Sequence, residues 1–103
     1  MKIVPGNEYH ALIKVKAPIV GNVKIDTHIS VDSDTAFHGY GIVLGRTVRF
    51  DKGDIEGKDY KFAVTIKKIV INISAQINED GTITGGATAA HYRPMKVTGE
   101  VIE

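Results

Sequence analysis

Residues 69–89 read IVINISAQINEDGTITGGATA, and the fold is decided there. Ile69, Ile71, Ile73, Ala75 and Ile77 alternate with Val70, Asn72, Ser74 and Gln76. Successive side chains of an extended backbone point to opposite faces, so this period of two predicts a strand with one apolar face. In the next four residues, Asn78-Glu79-Asp80-Gly81, Glu79 and Asp80 suit the centre of a type I turn. Gly81 suits the left-handed position of a G1 bulge. The turn sets a register in which Ile77 faces Ile83, Ala75 faces Gly85, Ile73 faces Ala87 and Ile71 faces Ala89. His91 would then point inward across from Ile69.

The same alternation runs outward from this hairpin in both directions. Towards the C-terminus, Tyr92-Arg93-Pro94 predicts a tight turn, after which Met95, Val97, Gly99 and Val101 return along the sheet. Towards the N-terminus, Tyr60, Phe62, Val64 and Ile66 form an apolar set whose parity flips at Lys67-Lys68, where a bulge or corner is expected. Residues 51–59 (DKGDIEGKD) read as a polar loop. Near the start, Tyr9, Ala11, Ile13, Val15 and Ala17 make one apolar face. Val23, Ile25, Thr27, Ile29 and Val31 make the next, with Ala17 expected opposite Val23. Asp32-Ser33-Asp34-Thr35 closes that hairpin with side chains that bond their own backbone.

Residues 36–50 are harder to orient. The even positions Ala36, His38, Tyr40, Ile42, Leu44, Arg46, Val48 and Phe50 carry more bulk than the odd ones. The odd positions contain Gly39, Gly41 and Gly45. Taking the bulkier set as inward leaves the glycines outside and predicts a curved segment, or a break at Gly45. The fold class expected is therefore all-β: an antiparallel meander of about six to eight strands in a small closed or nearly closed barrel. A two-sheet β-sandwich is the alternative. Closure would pair the strand containing Tyr9 with the strand containing Met95 and remove the open edges.

Composition agrees. Val, Ile and Thr dominate, and Leu occurs only at Leu12 and Leu44, which favours pleated strands over helices. With 103 residues, 43% of them hydrophobic, residues 1–103 form a single domain able to build its own core. Thirteen basic residues balance twelve acidic ones, so no nucleic-acid partner is expected. The absence of cysteine removes disulfides, thiolate metal sites and cysteine nucleophiles. No apolar run reaches the length of a membrane span, and the start MKIVPG lacks a signal-peptide core. No membrane association is expected, and a cytoplasmic location is the default.

No phosphate loop, dinucleotide fingerprint, nucleophile elbow, calcium loop or HExxH motif is present. His10 and His28 fall on outward faces of neighbouring strands. No histidine has a short chelating spacing, so neither a metal site nor a cofactor is expected. The polar residues assigned inward are Thr27, His38, Tyr40, Arg46 and His91. A buried guanidinium needs a partner, which Arg46 could find in water at a barrel mouth, in an acid of residues 51–59, or in an anionic ligand. Small inward residues at Gly85, Ala87 and Ala89 could leave room beside them. The function expected is a small barrel that binds a small acidic or aromatic ligand through His38, Tyr40, Arg46 and His91. Two other classes are weighed: a homo-oligomeric interaction module using Phe37, Val43 and Val70 as outward apolar residues, and a proton-transfer enzyme of cyclase or isomerase type.

Overall fold

Antiparallel pairing of each strand with the next, and of the last with the first, closes the chain on itself. In the computed structural model, which describes residues 6–17, 21–66 and 68–102, eight antiparallel strands form a closed barrel in sequence order. The strands are β1 (Glu8–Ala17), β2 (Gly21–Val31), β3 (Ala36–Val43), β4 (Arg46–Glu56), β5 (Asp59–Ile66), β6 (Ile69–Ile77), β7 (Thr82–Ala89) and β8 (Met95–Val101). The expected closure is present: Val15 pairs with Val97, Ile13 with Gly99 and Ala11 with Val101. No helix among the described residues is long and apolar enough to cross a membrane.

The β6–β7 hairpin has the register read from its turn, from Ile77 opposite Ile83 to Ile71 opposite Ala89. Gly81 has φ +86°, its N–H donates to the Asn78 carbonyl at 3.0 Å, and the Asn78 N–H donates to the Thr82 carbonyl at 2.8 Å. Asp80 accepts from the Thr82 hydroxyl at 2.6 Å and from its N–H at 3.0 Å. These bonds stabilise the carboxylate and hold its pKa below the usual value.

Elsewhere two-residue turns overturn parts of the sequence reading. Leu44 and Gly45 take φ of +51° and +75°, as a type I′ hairpin requires, so Val43 pairs with Arg46. Partners in a sheet share a face, so a two-residue turn moves the inward set from odd to even numbers. One parity cannot hold through residues 36–50. In β3 the inward residues are Phe37, Gly39, Gly41 and Val43; in β4 they are Val48 and Phe50. The register shifts once more where Phe37 pairs with Gly53 but Gly39 with Phe50, leaving Asp51 and Lys52 as the bulged step before Gly53 and Ile55 turn inward. Residues 51–59 are thus strand for most of their length, interrupted only at Gly57 and Lys58. Likewise Ile66 pairs with Ile69, so the parity change there is a hairpin reversal; Lys67 itself lies outside the described residues.

Phe37 explains why glycines face in. It is 1% exposed, and its ring lies 5.9, 5.5 and 5.9 Å from those of Phe50, Tyr60 and Phe62. A Cβ on Gly53 would lie 2.4 Å from the Phe37 ring, and one on Gly41 would lie 2.6 Å from the Ile25 side chain. The glycines yield their volume to large neighbours, as close-packed interiors require. Ile13, Ile25, Ile73 and Val97 complete the middle of the barrel. Burial also pushes the Tyr60 phenol pKa up, with Tyr9 adding to the effect.

Candidate functional site

Of the five polar residues read as inward, Thr27 alone is buried. Its hydroxyl donates to the Ile25 carbonyl at 3.2 Å and so needs no ligand. The inward assignment of His38 and Tyr40 is corrected: both stand on the outer wall of β3, because the turn at Leu44-Gly45 changes parity. His38 pairs with the Asp32 carboxylate at 2.8 Å. Arg46 shares the inward parity of Val48 and Phe50, yet it sits at the first position of β4 and is exposed. His91 is corrected as well, since β7 ends at Ala89 and His91 is an exposed turn residue with φ +68°. The four residues proposed as a ligand site are therefore not gathered inside the barrel. Phe37 and Val43, read as outward, are core; Val70 is outward and 53% exposed.

The described interior offers a ligand little to bind. Among the described residues, no buried side-chain polar atom lacks a hydrogen-bond partner. Gly85 and Ala87 adjoin backbone and core, and a Cβ on Gly85 would meet the Ser74 carbonyl oxygen at 2.1 Å. Two features of the outer wall, one concave and one polar, offer more.

The first is a groove of about 560 Å³ across β4–β7. Its floor is made of small outward residues. Ser74 of β6 lies between Lys61 of β5 and Gly86 of β7, and Gly86 in turn pairs with Lys96 of β8. Ala63, Asn72 and Thr88 form the next row. Small side chains on three neighbouring strands leave a hollow where longer ones would fill the wall. Lys52, Asp54 and Lys61 line the hollow as well. Lys61 donates to Glu56 at 2.7 Å, and this bond raises its pKa.

The second feature is a row of rings across β1–β3. His10 pairs with His28, and His28 with Tyr40. The two imidazoles stack at 4.4 Å with 8° between planes, and His28 stacks on Tyr40 at 4.7 Å and 18°. Asp26 precedes His28 by two residues and shares its face; its Oδ1 accepts from His10 Nε2 and lies 4.0 Å from His28 Nε2. Leu12 and Ile42 flank Asp26 in the neighbouring strands.

Sequence reading placed His10 and His28 on adjacent outer faces but missed their contact. Ala17 pairs with Gly21, and Val15 with Val23, so the hairpin register differs by two residues from the one expected. A shift of two keeps every residue on its face but exchanges its neighbours: His10 meets His28 where the expected register would have set it beside Ser30. The signal that could have found it was Gly21 as the first residue of the returning strand, where its φ is +75°.

What these elements define as a class is an eight-stranded antiparallel meander barrel with a side-chain-filled middle and two outer-wall features of distinct chemistry. Comparison with protein families, with characterised proteins and with solved structures finds no significant match to this chain in any of the three.

Proposed function

We propose that the protein is a non-catalytic binding module for a small organic acid, held in the outer groove across β4–β7. The observation that carries this reading is the hollow of about 560 Å³ floored by Ala63, Ser74 and Gly86 and lined also by Lys52 and Lys61. Small-ligand sites need concavity, commonly roughly 300–1,000 Å³, and a few convergent polar groups. Ser74, Asn72 and Thr88 supply hydrogen-bonding groups along the floor; Lys52 supplies positive charge for a carboxylate, while Asp54 also lines the groove and Lys61 binds an incoming carboxylate in competition with Glu56. The apolar surface of Ala63 and Pro94 suits the hydrocarbon or aromatic part of such a molecule.

Titration with benzoate, followed by amide chemical shifts, tests the reading. Saturable shifts are expected at Ala63, Ser74, Gly86 and Thr88. The double substitution Lys52→Glu, Lys61→Glu is expected to weaken binding by about tenfold, or about 1.4 kcal/mol. Absence of saturable shifts, or shifts centred on Arg46 and His91, would refute the groove as the site.

A further inference from the structure

The ring row on the opposite part of the wall carries a different chemistry. We propose that His10, Asp26 and His28 form a binding site for one divalent transition-metal ion of the zinc type. One ligating atom from each of these residues falls within 4.8 Å of the others. Zinc bonds to histidine nitrogen and carboxylate oxygen are about 2.0–2.2 Å long, so tetrahedral ligand atoms lie about 3.4 Å apart. The paired strands thus place the three atoms within reach of that spacing.

Three features separate this cluster from a chance meeting of surface side chains. The ligands stand on two hydrogen-bonded strands of a closed barrel, His10 directly across from His28, so the sheet fixes their spacing. The His28 ring is held between those of His10 and Tyr40, which limits the directions its nitrogen can take. All three ligand residues are half-buried, and Leu12 and Ile42 lie on either side of Asp26.

The donor set also selects the ion. Two imidazoles and one carboxylate suit zinc, copper, nickel and cobalt. Magnesium and calcium prefer shells made of oxygen alone. Three protein ligands leave at least one coordination position for water or an incoming donor. An ionised Asp26 only accepts, so the proton it shares lies on His10 Nε2. An ion entering the site takes the place of that proton, and the neutral imidazole then carries its hydrogen on Nδ1. His28 Nε2, at 4.0 Å from Asp26 Oδ1, is beyond hydrogen-bonding distance of that carboxylate. Tyr40 acts as a positioning residue through its stack on His28.

The test is a zinc chloride titration of the chelator-treated full chain, in competition with a chromophoric chelator. One equivalent is expected to bind. His10→Ala, His28→Ala and Asp26→Asn should each weaken binding by at least about tenfold, the scale on which disturbing a metal's ligand environment is felt. His38→Ala, which removes the other histidine–aspartate pair, should leave the affinity unchanged, and magnesium should not compete. The imidazole nitrogen resonances of the unaltered protein give a second measurement that depends on no variant folding. Zinc should move those of His10 and His28 and leave those of His38 and His91 in place. No stoichiometric binding, unchanged affinity in the His10→Ala, His28→Ala double variant, or shifts confined to His38 would overturn the proposal.

Discussion

Phe37→Ala is expected to destabilise the protein by about 3–5 kcal/mol, the range for removing a buried aromatic ring. Phe37 is 1% exposed and has three aromatic rings within 6 Å. Gly53 opposite it has no side chain to fill the space the ring would vacate. Since domains of this size are typically stable by about 5–15 kcal/mol, the loss is a large share of the total. Urea unfolding at equilibrium measures it directly. The experiment also decides the parity of β3: were Phe37 outward and Tyr40 inward, the substitution would cost little, and Tyr40→Ala would carry the large effect instead.

Ile73→Ala is the second large effect, at about 2–5 kcal/mol, combining lost transfer energy with a residual cavity. Ile73 is 2% exposed and central in β6, paired with Phe62 on one side and Ala87 on the other. Neither pairing can shift to close the gap without breaking the register of a closed barrel. Denaturant titration with an unchanged slope and a lower midpoint is the expected outcome. A change near zero would mean that β6 faces the other way.

The two substitutions fall where sequence reading succeeded and where it failed, and the contrast has a physical cause. Around Ile73 the turn chemistry of Asn78 to Gly81 defines the loop length, so register and facing follow for both strands. Around Phe37 the sequence offers a break at Gly45 but not the two-residue length of the turn at Leu44-Gly45, since a leucine with positive φ is uncommon. Counting bulk on each face then fails. Inward glycines at 39, 41 and 53 stand beside large inward rings and an isoleucine, and the total volume of a face says less than its pairing with the facing strand. The eight-stranded closed meander was still legible, because apolar alternation and closure survive a local error of parity.

The outer-wall features were legible only in part. An alternating pattern tells which side of the wall a residue takes, and His10 and His28 were assigned to the correct side. Which residue stands beside which depends on register across the hairpin, and an error of two residues is invisible to the apolar pattern. The groove over Ser74 and Gly86 has the same origin: the small residues are visible in the sequence, but the hollow exists only once β5, β6 and β7 are laid side by side.

Both the aromatic core and the ring row depend on residues 36–43 turning Phe37 into the barrel and Tyr40 out against His28. Side-chain nuclear Overhauser contacts, measured on the labelled protein, read both halves of that statement in one spectrum. Ring-to-ring contacts are expected from His10 to His28, from His28 to Tyr40, and from Phe37 to Phe50, Tyr60 and Phe62. Contacts from Tyr40 to Phe50 or to the Ile25 methyls, with none to His28, would contradict it.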